Sequence, residues 1–428
     1  MKTNTIKVLL IAVAMSLPAL SSAQVTLKKI SDNRISASGI HTPYTFKELK
    51  DSPAPEGYHP FYISHTGRHG SRFNTNEKEL LYLRSKLEKC DEAGILTTSG
   101  RELKRKIDFL YEYSAGRYGE LSDRGAREHR KIASRMYNRY PEAFSTRKNV
   151  RSASSTSKRC ILSMANFGTS LTACDSSLKV SYLSDDRTKK YLMKNTGIGE
   201  IEKARREIVS PIRKEMFDPE RFFRAICTDQ KKVKEIVDDR RHFCKDLYVA
   251  GGIVHCLDLE DKIELYDYFT DQELYTLARL DCYDFYGDHA NSKEFGKRRV
   301  AMADELVQDI IDKAELALES GSDVAADLRF THDWVVSPLF AMVGIEGMDK
   351  CLPLTSVDKY WMTSDYIPMA ANLQMIFYRS PNKDTVLVKL LLNEKETTIP
   401  ELKPEIGPYY SWQSLKSWLE ERVRLFCD

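Results

Sequence analysis

Three short β-rich apolar runs, each ending abruptly in charged or hydroxyl residues, constrain the fold more than any other feature of this sequence. They are Phe61-Tyr62-Ile63-Ser64-His65 ahead of Thr66-Gly67-Arg68-His69-Gly70, Asn149-Val150-Arg151-Ser152-Ala153-Ser154, and Leu328-Arg329-Phe330-Thr331 ahead of His332-Asp333. Runs of this length and composition read as buried strands. Helical spacing fills the intervals, from Thr98 to Tyr113, from Lys158 to Leu171, and from Asp123 to Tyr140, where Ser122 or Asp123 can cap and Ile132, Met136 and Tyr140 recur on one face. A strand, helices, strand, helix order predicts an α/β fold with a central mixed β-sheet flanked by helices. Ligands of open α/β sheets collect beyond the carboxyl ends of the strands, so the three charged ends are expected to converge on one site.

From about 176 to 320 the chain is rich in Lys, Arg, Asp, Glu, Tyr and Leu at helical spacing, and strand signals are scarce. This predicts a mainly helical inserted domain. After His332 the alternation resumes in Leu373–Tyr378 and Val386–Leu392, separated by Ser380-Pro381-Asn382-Lys383-Asp384, the pattern of a hairpin closing the sheet. The expected organisation is an α/β domain over 24–175 and 321–428, with 176–320 inserted as a substrate-selecting unit.

Residues 1–23 read as a secretion signal, with Lys2 and Lys7 ahead of the apolar stretch Val8–Leu20 and the small residues Ser21-Ser22-Ala23 before Gln24. Removing 23 of 428 residues leaves 405, ample for a core in one large or two intimately joined domains. The expectation is a soluble periplasmic or secreted protein, bacterial in the form of its leader and without a membrane span. The formal charge of +3 includes Lys2 and Lys7, so the mature chain carries +1, no reason to expect nucleic acid as a partner. The 9 cysteines contain no C-x-x-C pair, which argues against zinc. Export permits disulfides, and one or two bridges are expected, with at least one thiol left over by the odd count.

The chemistry is concentrated at the three strand ends. In Arg68-His69-Gly70-Ser71-Arg72, two arginines flank a histidine. A phosphate monoester carries about −1.5 to −2 charges at neutral pH, so guanidinium groups supply donors where its oxygens lie. A neutral imidazole between them can attack phosphorus. In Arg151-Ser152-Ala153-Ser154-Ser155-Thr156-Ser157-Lys158-Arg159 the hydroxyls can cap a helix whose amino terminus favours anions, and Arg159 adds a third guanidinium. His332-Asp333 offers a further phosphate contact and a carboxylic acid able to protonate a departing alcohol.

Taken together, these motifs resemble the histidine acid phosphatase branch of the histidine phosphatase superfamily. Its signature is Arg-His-Gly-x-Arg near the amino terminus, another Arg in a Ser/Thr-rich segment, and a late His-Asp. Leu121-Ser122-Asp123-Arg124-Gly125 is similar to the family's Leu-Thr-x-x-Gly segment. Ile367–Gln374 and Leu391-Leu392-Asn393-Glu394-Lys395 look most like the multiple inositol polyphosphate phosphatase subgroup. Two positions depart from the pattern. Asn74 stands where the family has proline, and His332-Asp333-Trp334 stands where the subgroup often has His-Ala-Glu, so the proton donor is like that of phytase and acid phosphatase relatives.

The resemblance implies that His69 takes the phosphoryl group, that Arg68, Arg72, Arg159 and His332 hold its oxygens, that Asp333 protonates the leaving alcohol, and that no metal or cofactor is needed. An unperturbed His is neutral only at pH values where an unperturbed Asp is ionised. The site must therefore shift one of them, and a bell-shaped profile from acidic to near-neutral pH is expected. The substrate is expected to be a small phosphate ester, inositol polyphosphates such as phytate first, with a broad-specificity acid phosphatase acting on sugar and other small esters as the alternative. Asp186-Arg187-Thr188-Lys189-Lys190 and Lys203-Ala204-Arg205-Arg206 are either additional phosphate contacts or solvated helix faces. His65, His129, His242, His255 and His289 are read as structural or surface residues. A phosphoglycerate mutase-like phosphotransferase fits the leader and the helical insertion poorly, and a non-catalytic phosphate-ester binder fits the intact set of six residues poorly.

Overall fold

The computed structural model describes residues 27–427, and the leader expected over 1–23 lies outside them. Eight strands form one sheet: β1 (His59–Arg68), β2 (Asn149–Ser154), β3 (Lys179–Leu183), β4 (Val324–Thr331), β5 (Asn372–Ser380), β6 (Lys383–Leu392), β7 (Lys395–Thr397) and β8 (Tyr410–Ser411). Their order is β3-β2-β4-β1-β5-β6-β7, with β8 paired to β6. β3, β2, β4 and β1 run parallel, and β5, β6 and β7 continue antiparallel, so the sheet is mixed. The three strands read from the sequence are thus adjacent and parallel, with β4 between β2 and β1. Their carboxyl ends share one edge, as Arg68 opposite Thr331 and Ser154 opposite Phe330 attest.

Side-chain alternation divides the core into two layers. Tyr62 of β1 faces one cluster with Met375, Phe377, Val388 and Leu390, while Ile63 faces the other with Ile376, Leu387 and Leu391. The helices Asp123–Arg139 and Lys158–Cys174 cover the smaller cluster through Ile132, Met136, Met164 and Phe167. The larger cluster is continuous with the helices Lys78–Glu92 and Thr98–Ser114 and with the helical run from Asp186 to Leu318.

Two details differ from the sequence reading. The segment 176–320 also contains β3, which pairs with β2; it lies on an exposed sheet edge, so no apolar run marks it. The expected disulfides are absent among the described residues, where Cys90, Cys160, Cys227, Cys244, Cys256 and Cys282 are buried thiols. They pack as small apolar side chains.

His65 on β1 and His129 on the helix Asp123–Arg139 are buried against Phe167 and Phe330, with no hydrogen-bond partner for either ring among the described residues. Burial holds both pKa values down to about 3, so the folded protein binds fewer protons here than the unfolded chain does. Stability is then full above the ordinary pKa of ~6.5 and declines as pH falls below it. His129→Phe is expected to remove part of this acid sensitivity. In urea titrations the variant's stability relative to wild type should improve by about 2 kcal/mol on going from pH 7 to pH 4.5; an unchanged difference would show that the ring is not neutral in the fold.

Candidate active site

At the end of β1 the chain must turn out of the sheet while keeping its backbone paired, and it does so by His69 N–H donating to the Thr331 carbonyl (2.8 Å) and Ala370 N–H donating to the His69 carbonyl (2.9 Å). The Arg68 side chain is fully buried. Its Nη1 donates to the carbonyls of Ile40 (2.7 Å) and Ile367 (2.9 Å), and its Nη2 donates to Asp333 Oδ2 (2.6 Å). His69 Nδ1 lies 2.9 Å from the Gly70 carbonyl, which can only accept, so Nδ1 carries the proton and the Nε2 lone pair is left available. Burial, followed by the charges of Arg159 and Arg68, holds the His69 pKa well below 6.5. The ring is neutral.

Gly70 explains the Leu121-Ser122-Asp123-Arg124-Gly125 segment. A Cβ on Gly70 would stand 2.6 Å from the Gly125 carbonyl, and one on Gly125 would stand 2.2 Å from the Ser71 carbonyl, so both positions must be glycine for the loop and helix to meet. Ser122 caps that helix by accepting from Gly125 N–H (3.1 Å). One turn on, buried Glu128 accepts from Ser71 N–H (2.8 Å), Ser71 Oγ (2.7 Å) and Tyr44 N–H (3.0 Å), fixing the loop between His69 and Arg72.

The other two strand ends meet at His332. Arg159 Nη2 donates to His332 Nδ1 (3.1 Å), which leaves Nε2–H to donate to Ser155 Oγ (3.0 Å). Ser157 occupies the amino-terminal cap position of the helix Lys158–Cys174 without a capping bond, and its Oγ lies 3.3 Å from the same His332 nitrogen. These hydroxyls therefore orient an imidazole instead of capping a helix as the sequence reading had them. Trp334 stacks on His332 at 4.0 Å, and the His69 and His332 rings stand 5.6 Å apart. Burial, then Arg159, brings His332 down to about 3. For Asp333 burial acts upward, but Arg68, His289 and Arg72 together outweigh it and hold the carboxyl below the ordinary range, so it is ionised.

The structure thus gathers all six residues singled out from the sequence, His69, Asp333, Arg68, Arg72, Arg159 and His332. It adds His41, whose Nε2 lies 3.4 Å from Arg72 Nη2, and near them stands the ring of His289, 3.5 Å from Arg299 Nη2. Burial holds His289 itself down to about 3. Of the basic clusters, Arg205 is committed to Asp288 (2.7 Å) and Asp284 inside the helical region, and Arg187 to Asp185. The Nε donors of Arg68, Arg72 and Arg159 and the indole N–H of Trp334 are buried without a partner among the described residues. Unsatisfied donors of one sign around a free imidazole nitrogen suit an oxyanion.

Residues 253–393, which contain His332 and Asp333 but not the His69 loop, match the family model described as histidine phosphatase superfamily (branch 2). Among solved structures the chain is similar to the multiple inositol polyphosphate phosphatase of Bifidobacterium longum in its phosphate complex, at 19% identity over 90% of this chain and 97% of that one, with a TM-score of 0.77. The same enzyme in complex with inositol hexasulfate gives 0.75 at the same identity and coverage. The phytase of D. castellii follows at 16% identity, 91% and 85% coverage and a TM-score of 0.67. Identities this low carry the fold. No curated protein matches the chain.

Removing the Glu128 carboxylate by Glu128→Ala strands three buried donors, and at about 1 kcal/mol or more for each the expected loss of stability is about 3 kcal/mol. Urea unfolding measures it. A loss below about 0.5 kcal/mol, within the range of an ordinary surface substitution, would show that the loop is held by something else.

Proposed function

We propose that the protein is a phosphomonoesterase that hydrolyses inositol polyphosphates, phytate among them, through a phosphohistidine formed on His69. The observation that carries this reading is the unprotonated Nε2 of His69 set among three guanidinium groups with unused donors. Nε2 attacks phosphorus as the ester P–O bond breaks. The bonding electrons leave with the alcohol oxygen, which takes its proton from Asp333. Water then attacks phosphorus, the P–N bond returns its electrons to Nε2, and the Asp333 carboxylate accepts the water's proton. Arg68, Arg72, Arg159 and His332 stabilise the charge spread over the equatorial oxygens.

Asp333 begins ionised, held by Arg68, so its role as an acid depends on the substrate. A phosphate dianion placed beside it offsets the arginine charges and raises its pKa until it can carry a proton. The inositol polyphosphate reading draws on the likeness to the Bifidobacterium enzyme and on the helical region, to which substrate selection is assigned. The leader-like stretch over 1–23 supports an exported protein, periplasmic or secreted; among the described residues no helix is long and apolar enough to cross a membrane.

His69→Ala is expected to abolish phosphate release from phytate and from p-nitrophenyl phosphate, by about 10³-fold or more, consistent with loss of a covalent nucleophile. Release that survives the substitution would end the phosphohistidine reading, and a preference for the aryl ester would favour the broad-specificity alternative.

The pH dependence follows from the two shifts. His69 is neutral well below pH 6.5, so the acidic limb of kcat/KM should lie well below that value, whereas the alkaline limb of kcat reports Asp333 losing its proton in the substrate complex. Asp333→Asn should reduce kcat/KM, which reports the transfer to His69 and not the later attack of water, about 100-fold or more for phytate and spare it for p-nitrophenyl phosphate, whose leaving group departs without a proton. Equal losses on both substrates would remove Asp333 from the role of acid.

A further inference from the structure

Behind the wall that supports Arg68 lies a second cavity of about 680 Å³, lined by the segment Lys28–Lys47, by Ser364–Pro368 and by Leu392–Thr397. Its charges do not cancel. Lys28 pairs with Asp32, Lys29 with Asp365, and Glu396 with Lys389, which accounts for the carboxylates of the lining. Lys47 and Lys395 remain, neither within ion-pair distance of a carboxylate among the described residues. Two ammonium groups side by side at a solvent-facing rim repel modestly, and an anion between them turns that repulsion into attraction. Partial burial, then the adjacent Lys395 ammonium, pulls Lys47 below the ordinary lysine value.

One further observation points to a ligand. The Ser364 hydroxyl in the lining is buried with no hydrogen-bond partner among the described residues, an unused donor on the same wall. Asn393 and Glu394, both left-handed at φ 50° and 65°, form the two-residue turn of the β6–β7 hairpin and set Lys395 at the cavity. Asn393 and Lys395 belong to the Leu391–Lys395 motif, which the proposed chemistry does not use.

We propose that this cavity binds inorganic phosphate, as the dianion, between Lys47 and Lys395 with the Ser364 hydroxyl as a further donor. The product of the reaction would then act back on the catalytic centre, a regulatory sense that rests on the phosphatase reading, whereas the binding itself does not. The coupling is short. Arg68 is held by the carbonyls of Ile40 and Ile367, and these belong to the two segments that wall the cavity and are clamped together by Met369 N–H donating to the Thr42 carbonyl (2.8 Å). Occupation of the cavity changes the spacing of those segments and with it the placement of the Arg68 guanidinium.

Equilibrium dialysis of the full chain against labelled inorganic phosphate tests this. Wild type is expected to bind two phosphates, Arg159→Ala one, and the double variant Lys47→Gln, Lys395→Gln one, with the lost site weakened about tenfold or more. Both lysines are exposed, so the variant should melt with wild type. Its turnover of p-nitrophenyl phosphate without added phosphate should be unchanged, while the non-competitive part of phosphate inhibition seen in wild type disappears. A single site in wild type, two sites retained in the lysine variant, or an equal loss on Lys203→Gln, Arg206→Gln would overturn the proposal, the last by showing general surface charge. If dialysis behaves as expected but hydrolysis does not depend on His69, the cavity stands and the phosphatase reading falls.

Discussion

Arg68 is the member on which the rest of the site depends. A guanidinium with no exposed surface must find acceptors for its donors, and this one finds two backbone carbonyls from distant segments and the Asp333 carboxylate. The pair fixes the end of β1 against the start of the helix Asp333–Val343 and keeps the carboxylate ionised. Removing one partner of a buried pair leaves the other uncompensated, a much larger penalty than the pair's own net worth. The arrangement therefore holds geometry more than it contributes stability, and it is open to competition from an incoming anion.

The imidazoles around this pair are neutral for the same reason that the arginines are charged. Burial among guanidinium groups makes a second positive charge unfavourable, so His69, His332 and His41 all lie below the ordinary histidine range. Each ring is then an amphoteric group whose tautomer is set by its neighbours: a carbonyl on Nδ1 in His69, an arginine on Nδ1 in His332. One ring is left with an open lone pair and the other with its lone pair taken. The same residue type serves two purposes through a difference in partners.

Much of this was legible in the sequence because strand ends announce themselves. An apolar run that stops at Arg68-His69, at Ser154-Ser155 or at His332-Asp333 gives both the strand and the direction of its functional end, and the sheet order made those ends adjacent. What stayed hidden lacks such a signature. His41 lies in a short segment with no periodicity, and β3 lies on an exposed edge. Glu128 did carry a signal, since Gly125, Glu128, His129 and Ile132 occupy one helical face and a carboxylate on a buried face needs donors opposite it. The hydroxyls of Ser155 and Ser157 were placed in the right loop but given the wrong partner, because a helix start and an imidazole make the same request of a serine. The expected disulfides had no local signal, since cysteine spacing does not give connectivity.

β1 lies inside the sheet, joined to β4 on one side and to β5 on the other, and both partners come from the last quarter or so of the chain. Loop closure over more than 250 residues must precede either pairing, since Ile63 meets Ala326 and Ile376. As the chain is synthesised, the strand that carries His69 emerges early and must wait with both edges unsatisfied. The surroundings of His69 are therefore assembled near the end of folding, and a chain cut short before β5 would leave that strand as an open template for other chains.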